Sequence, residues 1–145
     1  MQQIVKELLK QYSAHAKEAC RIILNNFGRT EIKDLLELRV HHPGGEFINN
    51  GINRFYFHGS GLNFKNDEFQ IDWDFNGQEE NSCCFDPWKI VNYIRDNKVQ
   101  LPFEIDSNFL EKEFKSAVLS GEMQVRGNNY FYKLQKERKR GCRKV

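Results

Sequence analysis

Between Arg54 and Phe75 the chain sets large apolar residues beside polar ones: Phe55, Phe57, Leu62, Phe64, Phe69, Ile71, Trp73 and Phe75, many of them two apart. Successive side chains of an extended strand point to opposite faces, so this spacing imposes one apolar and one polar face on any sheet the segment builds. The apolar face has to be covered by other elements. Twelve Phe in 145 residues, with 13% aromatic residues overall, make an aromatic core the expectation.

The segment divides into "RFYFHGSGLNFK" and "EFQIDWDFN" around Asn66-Asp67, which reads as the two-residue turn of a hairpin. That turn pairs Phe64 with Phe69 and Leu62 with Ile71. Continued unbroken, the register would set His58 against Phe75 and divide the apolar set between the two faces. One extra residue within Gly59-Ser60-Gly61 repairs it, since glycines inside a strand commonly mark a bulge. Phe57 then faces Phe75, and His58 lies opposite Asp74.

Helices are expected to supply the cover. Ile4, Leu8, Leu9, Tyr12, Ala16, Ala19, Ile23 and Phe27 recur at steps of three and four, the stripe of one long helix that Gly28 stops. A short helix is expected from Thr30, carrying Ile32, Leu35, Leu36 and Leu38. "HHPGGEFINNG" then reads as a turn-rich, mobile connector. Asp86 fits an N-cap and Pro87 the first helical position of a helix that turns Trp88, Val91 and Tyr93 or Ile94 inward. Another helix is expected over Ser107 to Ser120, with Phe109, Leu110, Phe114, Val118 and Leu119 inward and Gly121 as its stop. "EMQVRGNNYFYKLQ" closes the fold as a hairpin around Gly127-Asn128-Asn129. The expected architecture is α+β, a small antiparallel sheet of the central and C-terminal hairpins under about four helices. Residues 1–135 form a single domain on this reading, and 136–145 a flexible basic tail.

Charge is distributed unevenly. A formal net charge of +2 combines +5 over residues 136–145 with −3 over the remainder. Between Lys65 and Lys89 there is no basic residue, while Asp67, Glu68, Asp72, Asp74, Glu79, Glu80 and Asp86 contribute seven negative charges. A negative surface of this kind can blunt sheet edges, or it can steer a basic partner to its dock. In the tail, "KERKRGCRKV" could meet phosphates, with Tyr130, Phe131 and Tyr132 upstream as stacking faces; a solvated end is the preferred reading.

Three further constellations could carry chemistry. A histidine beside two carboxylates, His58 with Asp72 and Asp74, offers a general base or the ligands of a divalent metal. Against that stands a polar sheet face on which His58 and Asp74 merely hold register, which is preferred because no nucleophile motif accompanies them: "HGSG" is not GxSxG. His41-His42 could also bind metal, but adjacent loop histidines lack the spaced, rigid geometry of tight sites. Cys20, Cys83, Cys84 and Cys142 show no CxxC spacing, so neither a zinc site nor a disulfide framework is expected and reduced thiols are the default. No window approaches the roughly eighteen uninterrupted apolar residues of a membrane span, and the first residues lack a leader pattern. A cytoplasmic, membrane-free protein is expected.

The ordered set "FHGSG" (57–61), "DWDF" (72–75) and "FDPW" (85–88) resembles the signature of a family of small bacterial proteins that read approximately FHGxG, DFDF and FDxW. Those proteins resemble immunity proteins of polymorphic, contact-dependent inhibition toxin systems. The resemblance covers about residues 53–95 and implies that His58, Gly59, Gly61, Asp72, Asp74, Asp86 and Trp88 form the family signature. Most of these have architectural readings: Gly59 and Gly61 permit the bulge, Asp86 caps a helix and Trp88 anchors it. The resulting expectation is a non-enzymatic binding protein without a cofactor. It would neutralise a cognate toxin, such as a basic nuclease, through Asp67, Glu68, Asp72, Asp74, Glu79 and Glu80. The rival expectations are a metal-dependent hydrolase or nuclease using His58, Asp72 and Asp74, and nucleic-acid binding through the tail.

Overall fold

The computed structural model describes residues 1–26, 28, 45–49, 52–58, 61–74, 80–127 and 129–132. They include three helices, α1 (Gln3–Asn26), α2 (Pro87–Asp96) and α3 (Ser107–Ser120). Five strands, β1 (Gly45–Asn49), β2 (Arg54–His58), β3 (Gly61–Lys65), β4 (Gln70–Asp74) and β5 (Glu80–Cys84), form one sheet in that order. A second sheet is the hairpin of β6 (Met123–Arg126) and β7 (Asn129–Tyr132). The α+β class is therefore as expected, but the two hairpins belong to separate sheets. In the smaller one, β7 uses its other edge to bridge Phe85, exchanging bonds of 2.8 and 3.1 Å between Phe85 and Tyr130. The short helix expected from Thr30 lies outside the described residues.

The chain divides into two compact units, one of residues 1–10 and 84–145, the other of residues 11–83. In the second unit the central rows of the sheet follow from the alternation in sequence. Ile48 pairs with Phe55, Phe55 with Phe64 and Phe64 with Ile71, and Phe55, Phe64 and Ile71 are wholly buried. Phe64 lies 4.5 Å from Phe55 and 5.6 Å from Phe69 between ring centroids, the tilted packing aromatic rings prefer. Tyr12, Ala16, Cys20 and Leu24 of α1 are buried at steps of four. Cys20 and Leu24, rather than the expected Ala19 and Ile23, go inside; each pair is adjacent and apolar, so period alone could not choose between its members.

Two features of this sheet correct the sequence reading. "RFYFHGSGLNFK" is not one bulged strand but two antiparallel strands, β2 and β3, with His58 paired to Gly61. The chain reverses between His58 and Gly61 instead of bulging. Residues 45–49, expected within a mobile connector, form edge strand β1 against β2, and the register slips between Glu46 and Ile48. Strand pairing is set by a distant partner, which local turn signals do not report.

In the first unit α2 starts as expected: Asp86 Oδ1 accepts from Trp88 N (2.9 Å) and Lys89 N (3.4 Å), and Pro87 occupies the first turn. Pro87, Ile90 and Tyr93 are its buried residues, whereas Trp88 is 68% exposed. The expected inward anchor thus faces out, because a helix that buries Pro87, Ile90 and Tyr93 turns its neighbour about 100° away. Likewise α3 buries Ser107, Leu110, Phe114 and Ala117 and leaves Leu119 exposed. Phe114 packs on Tyr130 at 5.1 Å.

The start of α1 has no acidic residue in its own first turn. Carboxylates from elsewhere in the same unit meet its free amides and positive dipole end. Glu113 accepts from Gln2 N (3.0 Å), and Glu122 accepts from the Met1 ammonium (2.7 Å) and pairs with Lys6 (3.4 Å).

Candidate functional site

The most distinctive local geometry is the connection between β3 and β4. Four residues, Asn66 to Phe69, join strands whose register pairs Lys65 with Gln70, Phe64 with Ile71 and Leu62 with Trp73. The expected two-residue turn, with Phe64 against Phe69, is therefore displaced by two positions. Asn66 is the cause. Its side-chain Oδ1 accepts from both Glu68 N and Phe69 N at 2.9 Å, and its backbone N donates to Phe69 O at 3.0 Å. An asparagine that satisfies two backbone donors closes a wider loop than a hairpin turn needs. A shift of two leaves every side chain on its expected face, so the alternation in sequence could not detect it.

Further bonds clamp the loop. Asn66 Nδ2 donates to Asn53 Oδ1 at 3.1 Å, and the Tyr12 hydroxyl donates to the carbonyl of Glu68 at 2.7 Å. His15 meets the Phe69 ring edge-on at 6.4 Å. Asn66 and Phe69 are buried while Asp67 and Glu68 between them are exposed. Two carboxylates are thus displayed on a backbone fixed by Asn66, Tyr12 and Asn53, none of which the sequence reading chose as a site residue. The available signal was the Asn at the first position of "NDEF", a residue type that bonds its own loop.

The remaining predicted residues divide by where the register puts them. Asp72 is half-buried and accepts from Nδ2 of Asn63, its partner on β3. Asn63 is buried, and its Oδ1 has no hydrogen-bond partner among the described residues. His58 pairs with Gly61, and Gly61 with Asp74. His58 therefore does not lie opposite Asp74, as the bulged register required: β3 runs between them, and two strand spacings come to roughly 10 Å. Gly61 is the middle position of that row. Glu80 begins β5, whereas Glu79, Gly59, His41, His42 and the tail 136–145 lie outside the described residues. Asp86 and Trp88 hold the cap and exposed first turn of α2 already described.

The described cysteines, Cys20, Cys83 and Cys84, are buried and form no disulfide among the described residues. Burial pushes the Cys20 and Cys83 thiols up to about 12, against which Lys17 and Ser13 act only weakly at Cys83. Such thiols are not nucleophiles at neutral pH. Among the described residues no helix is long and apolar enough to cross a membrane.

Comparison with known proteins adds one relationship. No curated protein and no solved structure matches the chain. A family model described as "Domain of unknown function (DUF6896)" matches residues 5–134, nearly the whole length, and the chain belongs to that family.

Proposed function

We propose that this protein is a non-enzymatic, cytoplasmic binding protein of the immunity type, which neutralises a cognate toxin by occluding a basic surface. The observation that carries the reading is the β3–β4 loop: Asp67 and Glu68 exposed on a backbone held by Asn66 and Tyr12. A loop ordered before contact loses little conformational freedom on binding, and paired carboxylates accelerate encounter with a positive cleft. The absence of any basic residue from 66 to 88 in the sequence extends the same negative character, with Glu79 and Glu80 as further candidates for partner binding. A nuclease cleft is a fitting target, since it is built to attract phosphate oxygens that a carboxylate imitates. Asp72 is better placed to orient the sheet face than to meet a partner, because Asn63 already engages its carboxylate.

Metal-dependent chemistry at His58, Asp72 and Asp74 fits the register less well, with β3 interposed between His58 and Asp74. The test is co-expression with the product of the adjacent gene. Rescue of growth and co-purification are expected, with both lost in Asp67→Lys/Glu68→Lys. Absence of rescue and of co-purification with the wild type would sink the proposal. In the same preparations, added Mn²⁺ or Zn²⁺ should leave melting unchanged; a large upward shift would favour the metal reading.

A further inference from the structure

Trp88 stands 68% exposed in the first turn of α2, where an inward anchor was expected. Exposing a tryptophan to water is costly, and tryptophan is one of the residue types enriched at binding hot spots. The backbone beneath it is fixed by Pro87 and by the bond from Trp88 N to Asp86 Oδ1. Both bonds of the cap use Oδ1 of Asp86, which leaves Oδ2 of this half-buried carboxylate for another donor. An exposed aromatic side chain and a cap carboxylate thus stand two residues apart on one hydrogen-bonded turn.

We infer that Trp88 and Asp86 receive an arginine side chain of a basic protein partner, the guanidinium stacking on the indole and donating to Asp86 Oδ2. This rests on the proposed occlusion of a basic partner and names a second anchor for it. A purely apolar partner fits poorly, because covering Trp88 would strip water from Asp86 without offering it a donor. A nucleic acid or other anion is disfavoured by the same carboxylate, which already meets the positive end of the helix. Lysine could supply charge, but only arginine combines a planar stacking surface with several donors.

The test uses the full chain labelled with 5-fluorotryptophan. The sequence holds two tryptophans, and the resonance lost in Trp88→Phe reports Trp88. Octa-arginine and octa-lysine are titrated at low ionic strength. Octa-arginine should shift the Trp88 resonance saturably and bind about fivefold tighter than octa-lysine. Trp88→Ala should weaken octa-arginine, followed by its own fluorescence anisotropy, roughly tenfold. Asp86→Asn keeps the cap, since asparagine caps as well as aspartate, and should weaken binding by a similar factor. A Trp88 resonance that does not move, or an equal response to both peptides, overturns the inference.

The same variants then enter the co-expression experiment. Loss of capture in Trp88→Ala with an unchanged circular dichroism spectrum supports the anchor. Retained capture in Trp88→Ala, with loss only in Asp67→Lys/Glu68→Lys, overturns the anchor and leaves the occlusion standing. If the wild type captures nothing, the occlusion fails, and the peptide titration still decides the anchor.

Discussion

Asn63 and Asn66 are the same side chain, both buried within one hairpin, yet their hydrogen bonding differs sharply. Asn66 satisfies two backbone amides and donates to Asn53, while Asn63 donates to Asp72 and, among the described residues, its carbonyl oxygen has no partner. Asn66→Ala strands two buried or half-buried N–H groups and should cost about 1–3 kcal/mol, read as a lowered denaturant midpoint at constant slope. An unchanged midpoint would mean that the Tyr12 bond and the backbone bond from Asn66 N to Phe69 O hold the loop without the Asn66 side chain. Glu122 supports a prediction in pH. The Met1 ammonium, with Lys6 behind it, holds the Glu122 carboxyl below its ordinary value of 4.5. A carboxylate depressed in the folded state contributes stability that is fully present above about pH 4.5 and is lost as pH falls through its lower folded value. Wild type minus Glu122→Gln stability, measured from pH 7 to pH 2, should therefore shrink in the acid range; a constant difference would show that the ion pair contributes nothing. At this scale caps were legible and contacts were not. Asp86-Pro87 announces a helix start by its own chemistry, whereas the outward turn of Trp88 depends on which face of α2 the rest of the unit covers.

At the scale of elements, the ends of α2 and α3 make a controlled comparison. In both, the last turn closes by the same pair of bonds: Val99 N to Ile94 O with Lys98 N to Arg95 O, and Glu122 N to Ala117 O with Gly121 N to Val118 O. Both require a left-handed residue, and it is Lys98 (φ 51°) in one and Gly121 (φ 86°) in the other. Lys98→Gly relieves the crowding a side chain suffers there and should stabilise by roughly 0.5–1 kcal/mol. Gly121→Ala should destabilise by about 1 kcal/mol, although nothing would touch the new methyl group. Thermal melts of the two variants should move in opposite directions; shifts of the same sign would contradict the shared geometry. The existence of α1, α2, α3 and the C-terminal hairpin could be read from period and punctuation. The register of β4 against β3 could not, because a displacement of two preserves the faces, and β1 could not, because its partner, not its own sequence, makes it a strand.

For the whole molecule, the sequence made the α+β class and the acidic character of 67–86 legible, since both are sums over many residues. The division into units 1–10 with 84–145 and 11–83 was not legible, because it joins segments distant in the chain. The proposed dock carries a prediction at this scale. Association with a basic partner should slow several-fold between low and physiological salt, and Asp67→Asn/Glu68→Gln should flatten that dependence with a smaller effect on dissociation. Stopped-flow rates in a salt series check this; parallel slopes for wild type and variant would count against electrostatic steering through the loop.

The β3–β4 loop has one more consequence. The bonds that shape it come from Asn66, Tyr12 and Asn53, and neither carboxylate of Asp67 or Glu68 takes part in them. Replacing these two residues should change stability by no more than about 0.5 kcal/mol, as for surface positions outside any bonded network. What the loop presents and what holds it in place are therefore inherited separately. Under the proposed function, the two displayed residues could be exchanged to suit a different basic partner without disturbing the bonds that shape the loop.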